Sequence, residues 1–371
     1  MSAPPVLPRL ALDDPGLRTR HLLALPAGIG ADEVEVLALS RFPAAAWEVL
    51  PGVPQPGRGR AVPCTPGVLR VSRLSTLTGP FAVDQADAAG LGLPTSTAIV
   101  YDVRCPRERG PRPYPGGDRD GLKRAFPEAM PVREEERVLL WLVAVARRLG
   151  GAVRTGEHGT VLHPDVDGTI DLTVYTDQWL EPDETLRVVQ RVVPRARLAM
   201  DGVPWEGPMP DAGRGALAAS AGTGLPERGG AGLRVALERH GVKDVHERTR
   251  LLAEATAYDD AMLAAPPRPE GYGALVDMGV DGLLALEVAA EDVLPPMLRD
   301  LPWTADGAVA YRLRWEPTDV DELELERPSF AHRVARGRAM PPLQALAREL
   351  QAVVGGEIAD AAEFLVAPED L

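Results

Sequence analysis

Cysteine is nearly missing from this chain of 371 residues: Cys64 and Cys105 are the only two, 41 residues apart. Neither a disulfide framework nor a thiolate zinc spacing fits that count. Lysine is as scarce, at Lys123 and Lys243, so arginine carries nearly all the positive charge. Aromatic residues make up 5%, which leaves Leu, Val and Ala to fill any core. Long apolar runs are missing too: Val138 to Ala146 is nine residues, against the roughly 20 that a membrane helix needs. Bases fall short of acids, 40 to 54, giving a net charge of −14. Such a charge repels phosphate backbones and anionic lipid, which argues against nucleic-acid and membrane partners. Met1 to Leu10 shows no basic-then-apolar leader, and a soluble, cytoplasmic protein is expected.

Glycine and proline, 37 of each, are abundant. Nine of the 17 residues from Pro51 to Gly67 are Gly or Pro, as are 13 of the 32 from Asp201 to Gly232, and both stretches read as linkers. Between them lies an internal echo. Ala98-Ile99-Val100-Tyr101-Asp102-Val103-Arg104-Cys105 returns 210 residues later as Ala308-Val309-Ala310-Tyr311-Arg312-Leu313-Arg314-Trp315. In both, the odd-numbered residues are apolar, with Asp102 and Arg104 in the first copy and Arg312 and Arg314 in the second on the opposite face, the pattern of a strand that buries one face. A helix-like run, a Gly-Gly pair (150–151 and 355–356) and a hairpin-like segment follow each copy.

The first helix opens on Glu134, Glu135 and Glu136 and closes on Arg147 and Arg148, in the order that suits a helix dipole. Its apolar stripe is Val138, Trp141, Val145 and Leu149. Leu343, Leu346, Leu350 and Val354 form the second stripe, with Pro341 and Pro342 suited to the opening turn. Ile170–Met200 reads as strand, helix, strand, and Asp244–Leu263 as a connecting helix with an N-terminal capping box.

The expected fold is α+β: two related units from an internal duplication, each a small mixed or antiparallel sheet with helices on one face. The expected divisions are an N-terminal segment and linker (1–67) and a first unit with an extra strand–helix–strand (68–201). A linker (202–232), a helical connector (233–269) and a second unit (270–371) follow.

Asp165-Val166-Asp167-Gly168-Thr169 carries the D-x-D-G-T pattern and resembles the first motif of haloacid-dehalogenase-type phosphatases. That resemblance implies Asp165 as the nucleophile on phosphorus, Asp167 as the proton shuttle, and Mg²⁺ to neutralise the phosphate. The motif should then close a buried apolar strand, whereas His163-Pro164 precedes it here, and an Asp-Gly turn accounts for the same residues. A Mg²⁺-dependent phosphohydrolase is therefore the alternative reading. The G-x-G-x-x-A pattern at Gly213 follows prolines rather than a strand, and no phosphate loop or nucleophile elbow occurs.

The preferred reading is a non-catalytic binding or regulatory protein without a cofactor or resident metal, taking a protein or small-molecule partner. Loops 106–133 and 316–340 stand at the same place in each copy. The first is rich in arginine, whereas 316–326 holds six acids and no base. Equivalent loops of a pseudo-dimer can meet across its axis, and loops on a rigid scaffold usually carry function. Arg104, Arg107, Arg109, Arg112 and Arg314 are the candidate binding residues, and a cleft bordered by both loops is the expected site. Tyr101 and Tyr311, on the apolar face of their strands, are read as core.

Overall fold

The computed structural model describes residues 7–52, 65–199, 271–305 and 307–371, together with scattered helical positions between 246 and 257. Cys64, the linker 202–232 with its glycine-rich motif, and most of the connector 233–269 lie outside the described residues.

The first half contains β1 (His21–Pro26), α1 (Ala31–Arg41), β2 (Ala46–Val49), β3 (Gly67–Arg70), β4 (Thr76–Ala82), α2 (Gln85–Gly90) and β5 (Thr97–Arg104). After these come α3 (Leu122–Ala125), α4 (Arg133–Arg148), β6 (Ala152–Arg154) and β7 (Val161–Leu162). The second half contains β8 (Leu172–Thr176), α5 (Pro182–Val192), β9 (Arg197–Ala199), β10 (Gly271–Asp277), β11 (Leu283–Glu291) and β12 (Ala308–Glu316). It closes with α6 (Phe330–Val354), β13 (Glu357–Asp360) and β14 (Leu365–Val366).

These strands build two antiparallel sheets of seven, ordered β2-β3-β4-β5-β1-β6-β7 and β9-β10-β11-β12-β8-β13-β14. The order is the same, and so is the register through the middle of the sheets, although β4 and β2 of the first sheet carry irregularities that β11 and β9 lack. Tyr101 pairs with Leu23, which pairs with Val153; Tyr311 pairs with Val174, which pairs with Ile358. Two residues further on, Val103 leads through Leu77 and Leu69 to Trp47, as Leu313 leads through Leu286 and Ala274 to Leu198. The opening strand–helix–strand keeps step without a gap, 182 − 31 = 172 − 21 = 151 residues apart, and α1 and α5 have 11 residues each.

A Gly-Gly pair ends both long helices, and Gly150 (φ 64°) and Gly355 (φ 71°) both take a positive φ that favours glycine. A Cβ on Gly151 would collide with the Ala24 carbonyl oxygen, and one on Gly356 with that of Tyr175. Ala24 and Tyr175 are equivalent positions of β1 and β8, so each second glycine lets the chain cross the same strand.

Three expectations change. The strand–helix–strand Ile170–Met200, assigned above to the first unit, belongs to the second sheet, because β8 pairs with β12 and β13. Its counterpart is β1–α1–β2, from the segment taken as an N-terminal extension. Pro341 and Pro342 lie inside α6 rather than opening it, since the helix starts at Phe330 under the Ser329 cap. Their missing amides free the carbonyls of Gly337 and Arg338, and both residues are exposed to water. The upstream turns hold because His332, Arg336 and Ala339 are buried. Lastly, helices do not keep to one face. α1 and α4 cover the inner face of the first sheet, around Leu23, Leu69, Leu77, Tyr101 and Trp141. On its outer face, Leu10 and Leu17 of the N-terminal segment and Ala88 of α2 cover Leu22, Ala24 and Val100.

Candidate functional site

The two sheets meet along a seam formed by α4, the turn 164–171, α6 and the β13–β14 hairpin. Phe364, in that hairpin, is 1% exposed and belongs to the apolar core of the first sheet. Glu363 beside it has φ 66° and ion-pairs with Arg41 of α1. Arg336 of α6, itself buried, donates to Asp165 Oδ2 at 2.6 Å.

The inserted loops also meet at this seam. Arg124 grips Glu326 with two bonds, Nε to Oε2 at 3.0 Å and Nη2 to Oε1 at 2.7 Å. Asp118 N–H donates to the Glu324 carbonyl at 2.8 Å. Hydrogen bonding from Arg124 holds the Glu326 carboxyl below its usual range.

Along the seam runs an open cavity of about 300 Å³. Arg147 and Arg148 of α4 contribute to one wall; Met340 and Gln344 of α6 and Asp360 of β13 to another; and Asp167, Thr169 and Asp171 come from the turn. Burial pushes the Asp171 carboxyl upward, although it accepts the Trp315 N–H at 2.9 Å. Burial likewise raises Asp360, against the N–H groups of Phe364 and Ala362 that bind its Oδ1 at 3.0 and 2.8 Å. Arg148 stands 4.0 Å from Asp360. Arg147 binds Asp120 through Nη2, while its buried Nε has no hydrogen-bond partner among the described residues. A smaller recess continues from Arg147 toward the loops, bounded by Arg119, Asp165, Glu322, His332 and Arg336.

Of the candidate arginines, three are committed within the first sheet's unit. Arg107 donates to the Thr19 carbonyl. Arg109 binds Glu135 and, at 2.8 Å, Glu157. Arg112 binds Glu128. Arg104 is exposed, and Arg314 lies 3.8 Å from Glu287 on the outer face of the second sheet. None of the five lines the seam cavity.

Arg109 belongs instead to a buried network. Glu135, 0% exposed, also takes the Glu108 N–H at 2.8 Å and faces His21 Nε2 at 3.1 Å. Gly156 N–H donates to His21 Nδ1 at 3.1 Å, which fixes the proton on Nε2, facing the carboxylate. Burial alone would raise Glu135, but His21, the Glu108 amide and Arg109 together hold it below the usual carboxylate range. Every member has a partner, so the network is structural.

Asp165 and Asp167 stand in a turn after the two-residue strand β7. Asp165 is spent on Arg336, with its Oδ1 accepting the Asp167 N–H at 3.2 Å. That turn does not follow the buried apolar strand that the phosphatase pattern calls for. No set of three His, Cys, Asp or Glu among the described residues is placed to hold a metal ion, and no described helix is long and apolar enough to cross a membrane.

Sequence reasoning passed over Arg147 and Arg148 as dipole partners of a helix end. A signal was available: with Leu149 matched to Val354, their counterparts are Ala352 and Val353, so only the first helix is basic there. Comparison with protein-family models, curated proteins and solved structures gives no match for this chain.

Proposed function

We propose that this chain is a non-catalytic binding protein made of two copies of one α+β unit, and that its site is the groove between them. The shared strand order, the matching register of the central strands and the matching glycine crossings support descent by duplication. One observation carries the site: a cavity of about 300 Å³ between α4 of the first unit and α6 with β13 of the second, lined by charged side chains that are only partly matched. That volume is at the small end of ligand pockets, which suits a small polar molecule. The joined insertions lie beside the groove, on the recess that continues from Arg147, and tie the two walls together. The phosphohydrolase alternative gains no support from Asp165, whose carboxylate is held by Arg336.

The test is a thermal-shift screen of small polar metabolites against the full chain, repeated on two variants that fill the groove, Thr169→Trp and Gln344→Trp. A compound that stabilises the native chain and loses its effect in both variants supports the reading. If no compound shifts the melt, or the shift survives both substitutions, the groove is not the site.

A further inference from the structure

A second surface, apart from the groove, stands where α6 begins. Three large apolar side chains are open to solvent there: Val280 is 83% exposed, Val320 58% and Phe330 74%. They lie on three chain segments drawn together by hydrogen bonds. Thr318 Oγ1 donates to the Val280 carbonyl at 3.3 Å, and Trp315 Nε1 to the Asp281 carbonyl at 2.8 Å. Ser329 N–H donates to Glu322 Oε2 at 2.6 Å, which ties the start of α6 to the loop before it. Leu323 turns inward onto the second core, leaving Val320 outside. Apolar side chains collected on one corner mark a contact surface more often than isolated ones do.

The corner is also acidic. Asp319, Asp321 and Glu324 are exposed beside Val320, and the nearest base along the chain is the exposed Arg327. Arg333 lies over the Phe330 ring at 5.9 Å, and Arg338 is paired with Asp281 at 3.3 Å. This charge argues against three occupants. Nucleic acid and anionic lipid are repelled. A second copy in a two-fold contact would bring like positions together, setting acid against acid. A basic partner is attracted and oriented by the same field.

We propose that the corner formed by Val280, Val320 and Phe330, with Asp319, Asp321 and Glu324 around them, docks a basic segment of a partner protein that carries bulky apolar side chains. The probe is a synthetic helical peptide of about five turns, with leucine on one face and lysine on the other, titrated against the full chain by fluorescence anisotropy. A matched peptide with glutamate in place of lysine is the control. The lysine peptide should bind, lose affinity as salt rises, and bind at least about tenfold more weakly to Val320→Asp/Phe330→Asp and to Asp319→Lys/Asp321→Lys/Glu324→Lys. If Phe330→Asp lowers the melting temperature, Val320→Asp alone decides. The glutamate peptide should not bind. Absence of lysine-peptide binding overturns the proposal, as does binding that survives both sets of substitutions. A dimer in native mass spectrometry that Val320→Asp dissolves would overturn it in favour of self-association.

Discussion

Tyr101 and Tyr311 stand at matching positions of the two sheets, both 0% exposed, and differ at one atom. Tyr311 Oη donates to the Gln178 carbonyl at 2.9 Å and accepts the Leu180 N–H at 2.8 Å. Tyr101 Oη is buried without a hydrogen-bond partner among the described residues. The segment that would serve it, 151 residues before Gln178–Leu180, passes through Gly28 at φ 96°. Replacing each tyrosine by phenylalanine should therefore have opposite effects. Tyr311→Phe strands a carbonyl and an amide, and with each bond contributing about 0.5–1.5 kcal/mol it should cost roughly 1–3 kcal/mol. Tyr101→Phe removes a hydroxyl whose unpaired burial costs about 1–3 kcal/mol on mutational scales. That variant should be neutral or gain about 1 kcal/mol. Urea denaturation followed by tryptophan fluorescence reads the difference as a change of midpoint at constant slope. Equal losses in the two variants would refute the reasoning, because only a hydroxyl bonded in both sheets explains them.

Trp141 is 1% exposed and donates Nε1–H to the Leu37 carbonyl at 2.8 Å, so Trp141→Ala should cost about 3–5 kcal/mol; an unchanged melt would contradict the packing of α4. Glu135 titrates below its usual range in the fold, so its stabilisation is present at neutral pH and lost as pH falls through that lowered value. Glu135→Gln, leaving His21 and Arg109 without their anion, should cost about 3–5 kcal/mol at neutral pH, and the deficit should shrink in acid; a pH-independent deficit would count against the charge. Asp171 has the opposite sign: its carboxyl is raised, so protonation favours the fold and ionisation handicaps it. Asp171→Asn should raise the melting temperature at neutral pH, with the gain fading as pH falls through the raised value and gone below about pH 4; a gain that persists in acid would point elsewhere. The Arg124–Glu326 pair is part-exposed, 46% and 31%, so a double-mutant cycle should give about 0.2–1 kcal/mol. No coupling at all would mean the loops do not meet in solution.

Elements that bury one face were legible in the sequence. β12 alternates as expected, and the stripes of α4 and α6 found Trp141 and Leu346, which are 1% and 2% exposed; β5, expected to bury one face, is buried on both from Ile99 to Val103 because the N-terminal segment and α2 cover its outer side. The Gly-Gly stops and the hairpins after them also lie where the pattern placed them. β1 was not legible, for a physical reason. His21 to Leu25 are all buried, because the N-terminal segment covers the face that would otherwise be polar, and a strand buried on both sides shows no period. Without β1, its gapless partner β8 was taken for an addition to the wrong unit. The proline pair misled because the stripe on one side of it sufficed to define a helix, while the burial of His332 and Arg336 on the other depends on tertiary packing. Charge signs revealed loops that do meet, through Arg124 and Glu326. They did not reveal that Arg107, Arg109 and Arg112 would be consumed inside their own unit, since partners remote in sequence such as Glu135 emerge only with the fold.

The groove is the centre of this account, and native mass spectrometry of the protein isolated from its own cells tests it most directly. The account predicts a small molecule retained on the native chain, released by denaturation, and absent from Thr169→Trp and Gln344→Trp prepared in the same way. A ligand retained equally by all three proteins would contradict it.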